Sequence, residues 1–91
     1  MGAVAEGLER KLSAAFAPAR LEVIDESHRH AGHAGSREGG ESHFHVTIEA
    51  VAFAGLSRVE RQRRINAVLA AELAGPVHAL SVKALAPGEG G

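Results

Sequence analysis

The stretch from Ser42 to Val51 alternates with the period of a β-strand. Phe44, Val46, Ile48 and Ala50 fall on one side, and His43, His45, Thr47 and Glu49 on the other. Successive side chains of a strand point to opposite faces of its sheet. This segment is therefore expected to have a core on one face and a more polar surface on the other, which calls for a layer packed against one side only.

The flanking segments supply that layer. Val4, Leu8, Leu12 and Ala15/Phe16 recur at helical spacing and predict a helix over Ala3 to Phe16, stopped by Pro18. Leu21 to Ile24 reads as a short strand. Residues 27 to 41 are rich in Gly, Ser, His and charge and read as a long connection. After a turn at Phe53-Ala54-Gly55, the capping box Ser57-Arg58-Val59-Glu60 opens a second helix. Its apolar stripe is Ile65, Leu69 and Leu73, and Gly75-Pro76 ends it. Val77 to Leu85 reads as a third strand. The expected organisation is one α/β domain of the α+β kind over residues 1–86, in the order α-β-β-α-β, with a flexible tail at 87–91. The first two strands should pair antiparallel. The third returns through a helix and should run parallel to the second, with both helices on one face of a mixed three-stranded sheet.

That topology bears on the histidines. His28, His30, His33, His43 and His45 lie in one window, and His78 stands alone in an apolar run. If the third strand is parallel to the second, the start of each lies where the connection of residues 27–41 leaves and rejoins the sheet. All six rings then gather at one sheet end. By alternation, His78 falls on the core face with Leu80, Val82 and Ala84, and His43 and His45 on the opposite face.

Composition narrows the chemistry. The chain has 91 residues, no cysteine and a net charge of −1. It can form no disulfide and, alone, no thiolate site. Nothing in the overall charge draws it to nucleic acid, so such binding would need a local basic patch. Three phenylalanines are the only aromatics, too few for a base-stacking platform. No signal peptide, myristoylation signal or membrane-spanning run is read, and a cytoplasmic protein is expected. No nucleophile–base pair stands out, so an enzyme is not expected.

Five segments in order resemble the BolA family: Leu21-Glu22-Val23-Ile24-Asp25-Glu26-Ser27, Ser42-His43-Phe44, Phe53-Ala54-Gly55-Leu56, Val59-Glu60-Arg61-Gln62-Arg63 and Glu72-Leu73-Ala74-Gly75-Pro76-Val77-His78-Ala79-Leu80. The family fold is similar to class II KH domains, in agreement with the order above. The resemblance implies a non-enzymatic partner of a monothiol glutaredoxin, the two sharing a [2Fe–2S] cluster with glutathione in iron–sulfur trafficking or iron sensing. The chain would be a monomer alone and a heterodimer with that partner. Sulfur would come from the partner's cysteine and glutathione. Nitrogen would come from His78 and from a histidine of the connection between the first two strands, with His30 the first choice and His33 next. Imidazole in place of thiolate on one iron of such a cluster raises its potential. The chain departs from the family's Arg-His-Arg at Arg61-Gln62-Arg63.

Other readings of the same residues stay open. His78 alone reads as a hydrogen-bonded histidine at a core edge. His43 and His45 read as surface or interface residues, with His43 a reserve ligand. The loop histidines and His78 also allow a plain Zn²⁺ or Co²⁺ module, although their spacing matches no standard zinc pattern. Arg58, Arg61, Arg63 and Arg64 cluster at the start of the second helix. They read as a solvated face paired with Glu60, with Arg61, Arg63 and Arg64 as candidate contacts to a partner or to DNA. A DNA-binding transcriptional regulator is the alternative function, although only Gly55 stands where a KH domain carries a Gly-x-x-Gly loop.

Overall fold

A computed structural model of the protein describes residues 2–26 and 42–89. The chain runs α1 (Ala3–Phe16), β1 (Arg20–Asp25), β2 (His43–Glu49), a short 3-10 turn (Val51–Phe53), α2 (Arg58–Val68), α3 (Ala70–Ala74) and β3 (Ala79–Leu85). The sheet order is β1-β2-β3. β1 and β2 pair antiparallel, from Arg20 opposite Glu49 to Asp25 opposite Phe44. β2 and β3 pair parallel, from His43 opposite Ala79 to Glu49 opposite Leu85. The α+β architecture and the direction of each strand are those expected from the sequence.

The alternation in β2 sorts its side chains as its pattern requires. Phe44, Val46 and Ile48 are buried against Ala5, Leu8 and Leu12 of α1, Ile65 of α2 and Leu69. Burying each of the larger side chains contributes about 1.5–3 kcal/mol relative to exposure. The rings of Phe16 and Phe53 meet at 4.9 Å between centroids, closing the core at the end of α1. On the opposite face, Thr47 is also buried. It sits midway along the central strand, flanked by Glu22 and Lys83 on its two neighbours.

Local signals fix the helix ends. α1 stops at Ala17, which takes a left-handed conformation (φ 45°, ψ 55°) while its N–H donates to the Ser13 carbonyl at 3.0 Å. Pro18 then lacks the N–H that a further turn would use. Gly55 turns with φ +79°, which only glycine adopts without steric cost. Ser57 caps α2, its Oγ accepting the N–H of Glu60 at 3.1 Å.

Along the backbone, two features differ from the sequence reading. The second helix is bent: Leu69 (φ −100°, ψ 18°) separates α2 from α3. The hydrogen bonds Leu69 N–H to Ile65 O and Leu73 N–H to Leu69 O continue across the bend. The stripe therefore persists, with Leu69 fully buried and Leu73 partly so. The second difference is at β3, which begins at Ala79 rather than Val77. The N–H groups of His78 and Ala79 both reach the Ser42 carbonyl, at 2.8 and 3.2 Å. Two consecutive residues facing the same acceptor break the two-residue period. Val77 is buried and His78 is exposed, so the expectation that His78 shares the core face is corrected.

Replacing the α2 cap by Ser57→Ala should lower stability by about 1 kcal/mol. Chemical denaturation, with an unchanged m-value, checks this.

Candidate functional site

Three strand ends meet at the start of β2. Ser42 is buried, and its carbonyl accepts the backbone of His78 and Ala79 at the start of β3. The next carbonyl, of His43, accepts the N–H of Glu26 just beyond β1 at 2.8 Å. The Ser42 Oγ and the Nδ1 of His43 share a hydrogen bond at 2.9 Å. Such a bond occupies one ring nitrogen and orients the other. His43 and His78 are thus brought to one sheet end, and Glu26 and Ser42, which flank residues 27–41, lie there too. His45 is one step further in, on the outer face, in a row with Ile24 and Ser81. His28, His30 and His33 lie outside the described residues, so their place relative to His78 is not part of this geometry. Among the described residues, no three histidine or acidic side chains form a group able to hold a metal ion.

The arginines divide. Arg63 and Arg64 are exposed and pair loosely with Glu60, at 3.8 and 3.4 Å. This is the solvated face expected, and it leaves both side chains accessible. Arg61 is different, and its grouping with them on a solvated face is corrected. Its side chain is only 8% exposed. Nε donates to the Leu56 carbonyl at 3.0 Å and Nη1 to the Ala84 carbonyl at 3.0 Å. Nη1 and Nη2 then hold both oxygens of Glu89, at 2.5 and 3.0 Å. Glu89 also accepts the N–H of Ala86 at 2.9 Å. Residues 87–89, read from sequence as part of a flexible tail, are thereby tied to α2 and β3. The sequence did carry a signal for Arg61: it stands four residues before Ile65 and eight before Leu69, on the buried row of the helix. Glu89, among glycines and a proline, gave none.

The hydrogen bond from Arg61, with that from the Ala86 N–H, pulls the Glu89 carboxyl down from its ordinary value of 4.5 to about 2. The same bond raises Arg61 further.

The arginine and histidine regions are far apart. Arg61 meets β3 at Ala84, five residues along the strand from Ala79. At ~3.3 Å per residue that is about 16 Å.

Among the described residues, no helix is long and apolar enough to cross a membrane. What the fold defines is a small α+β domain with a mixed three-stranded sheet, its helices on one face and two chemically distinct ends. The family model of BolA-like proteins matches residues 12–89, and the chain belongs to that family. The BolA-like protein 1 of Homo sapiens is 42% identical over 89 residues, covering 98% of this chain. The chain spans only 62% of that relative's length. The DNA-binding transcriptional regulator BolA of Escherichia coli K12 is 47% identical over 79 residues, 87% of this chain and 71% of the relative. The BolA domain of SufE1 from Arabidopsis thaliana superposes with a TM-score of 0.86 at 40% identity, covering 98% of each chain.

A carboxyl whose folded-state pKa is depressed stabilises the fold above its unfolded pKa and loses that contribution as pH falls through the folded one. Glu89→Gln should therefore lower stability at neutral pH. The gap between the two proteins should close as pH falls from 4.5 toward 2. Urea melts at a series of pH values check it; a gap that persists at the acid end contradicts the assignment.

Proposed function

We propose that the protein is a non-enzymatic BolA-like adaptor that binds a monothiol glutaredoxin and co-ligates a [2Fe–2S] cluster with it, in iron–sulfur trafficking or iron sensing. The observation that carries this reading is the exposed His78, held beside His43 where the connection between β1 and β2 leaves and rejoins the sheet. A histidine serving the core would be buried there; this one is exposed.

The donor chemistry fits a shared cluster. Such clusters are held by thiolates, with imidazole able to replace thiolate on one iron. This chain has no cysteine. It can offer no thiolate and leaves the sulfur positions to another molecule. His78 is the first ligand in this proposal, and His30 the second, with His33 as the alternate. When bound, the cluster supplies redox and exchange chemistry. The chain's own part is to hold His78 through the paired N–H bonds to the Ser42 carbonyl. That backbone attachment keeps the ring at the sheet end at little entropic cost. Membership in the BolA-like family, and the likeness to a BolA domain joined in name to SufE1, are consistent with this role.

A second reading is favoured by the name of the Escherichia coli relative, a DNA-binding transcriptional regulator. Here the exposed Arg63 and Arg64 on α2 would contact phosphates, while the buried Arg61 would brace the helix from behind.

Mixing the chain with a cluster-loaded monothiol glutaredoxin should change the cluster's visible absorption and circular dichroism, and His78→Ala should abolish that change without unfolding the protein. An identical response from His78→Ala sinks the cluster reading. For DNA, affinity should fall with rising salt, and Arg63→Ala should reduce the log–log slope by about 0.9. A flat slope ends that reading.

A further inference from the structure

A cavity of about 560 Å³ lies between the start of α2 and β3, with Arg58, Arg61, Gln62, Val82 and Lys83 in its lining. It is at the opposite end of β3 from His78. β3 is an edge strand. In a parallel ladder the backbone groups of alternate residues face the neighbouring strand. The Ala79 N–H and the Leu85 carbonyl both bond toward β2. Leu80, Val82 and Ala84 therefore direct their N–H and C=O groups to the open side. Arg61 covers the Ala84 carbonyl. The backbone groups of Leu80 and Val82 have no partner there among the described residues. An unpaired edge of this kind is a template for another extended chain.

The groove also shows what chemistry it holds. The Arg61 guanidinium is fixed from behind by two main-chain carbonyls and presents its forward fork to a carboxylate, now Glu89. A planar fork held in this way matches a carboxylate through two parallel bonds. Arg58, whose charge also acts on Glu89, and Lys83 add two exposed cations. Among the described residues of the lining, Glu89 is the one acid. We propose that this groove binds an extended, carboxylate-bearing segment of a partner protein, which pairs with the open edge of β3 and replaces Glu89 in the fork of Arg61. Glu89 acts as an internal competitor that keeps the fork closed until the segment arrives.

A nucleic acid suits the groove less well. All three phenylalanines are wholly or partly buried in the core, so no exposed aromatic ring offers a face to a base. The best-placed cation is already matched in shape to a carboxylate. The proposal is independent of the histidine end, and its readouts are local to the groove.

The test is a titration of the full ¹⁵N-labelled chain with the N-acetylated peptide Glu-Val-Glu-Val-Glu, followed by amide shifts. Shifts should concentrate at Leu80, Val82 and the Arg58–Gln62 turn of the helix, leaving His43 and His78 unmoved. Arg58→Glu and Lys83→Glu should each weaken binding by about twofold to fivefold. Glu89→Gln should tighten it by about threefold or more, because the closed fork taxes the apparent affinity. Glu89→Asp, which keeps the charge but shortens the reach, should fall between the two, and thermal melts establish that both variants remain folded. Equal binding of Gln-Val-Gln-Val-Gln, shifts confined to other surfaces, or no tightening in a folded Glu89→Gln chain would overturn the proposal. So would an oligothymidylate that moves the same amides more strongly than the peptide does.

Discussion

Parallel pairing of β2 with β3 is the constraint from which the other spatial relations follow. Strands that run the same way cannot be joined by a tight turn, so the chain must travel back across the sheet between them. Here α2 and α3 make that journey, and their buried stripe closes the core over Phe44, Val46 and Ile48. The return also decides which termini coincide. β1 ends, β2 begins and β3 begins at one edge, where the Ser42 and His43 carbonyls join them. The start of α2 is left at the far end, against the last residues of β3. A sheet of three short strands thus acquires two ends with unrelated chemistry, one of imidazoles and one of guanidinium groups.

The burial of Arg61 shows how a charge can be structural in so small a domain. A guanidinium removed from water is costly unless its donors are met. In this chain the partners come from three places in sequence: Leu56 before the helix, Ala84 in β3 and Glu89 beyond it. The side chain therefore fastens the crossover helix to the strand it leads into. Removing one partner would leave the others facing an incompletely matched charge, and breaking such a buried set is more damaging than never having formed it.

Much of the architecture was legible because it rests on short-range rules. The limits of α1, the cap at Ser57 and the alternation in β2 each depend on a few adjacent residues, and the strand directions follow from connection lengths. Most of the features that escaped depend on contacts between distant segments. Alternation counted back from Leu80 puts His78 inward, but the two N–H groups that donate to the Ser42 carbonyl reset the count at Ala79. Glu89 looks like part of a glycine-rich end until Arg61 is seen to face it. The bend at Leu69 leaves the pattern of apolar residues untouched, so periodicity could not reveal it. At the candidate site, the convergence of His43 and His78 was readable from topology. Ser42 was read only as part of a motif, because a lone serine at a strand start carries no sign of the three backbone groups it and its neighbour would join.

Antiparallel pairing of β1 with β2 places Glu26 and Ser42 side by side whatever lies between them. The entropy of closing such a loop rises only slowly with its length, by about 0.6 kcal/mol for each doubling. Closing the pair β1–β2 therefore places only a weak limit on the length of the connection. A lineage could lengthen this connection, or exchange a sulfur donor in it for a nitrogen donor, without retuning the core. The histidine at the start of β3, by contrast, is anchored through its backbone to the Ser42 carbonyl, so its place is set by the same pairing that builds the sheet.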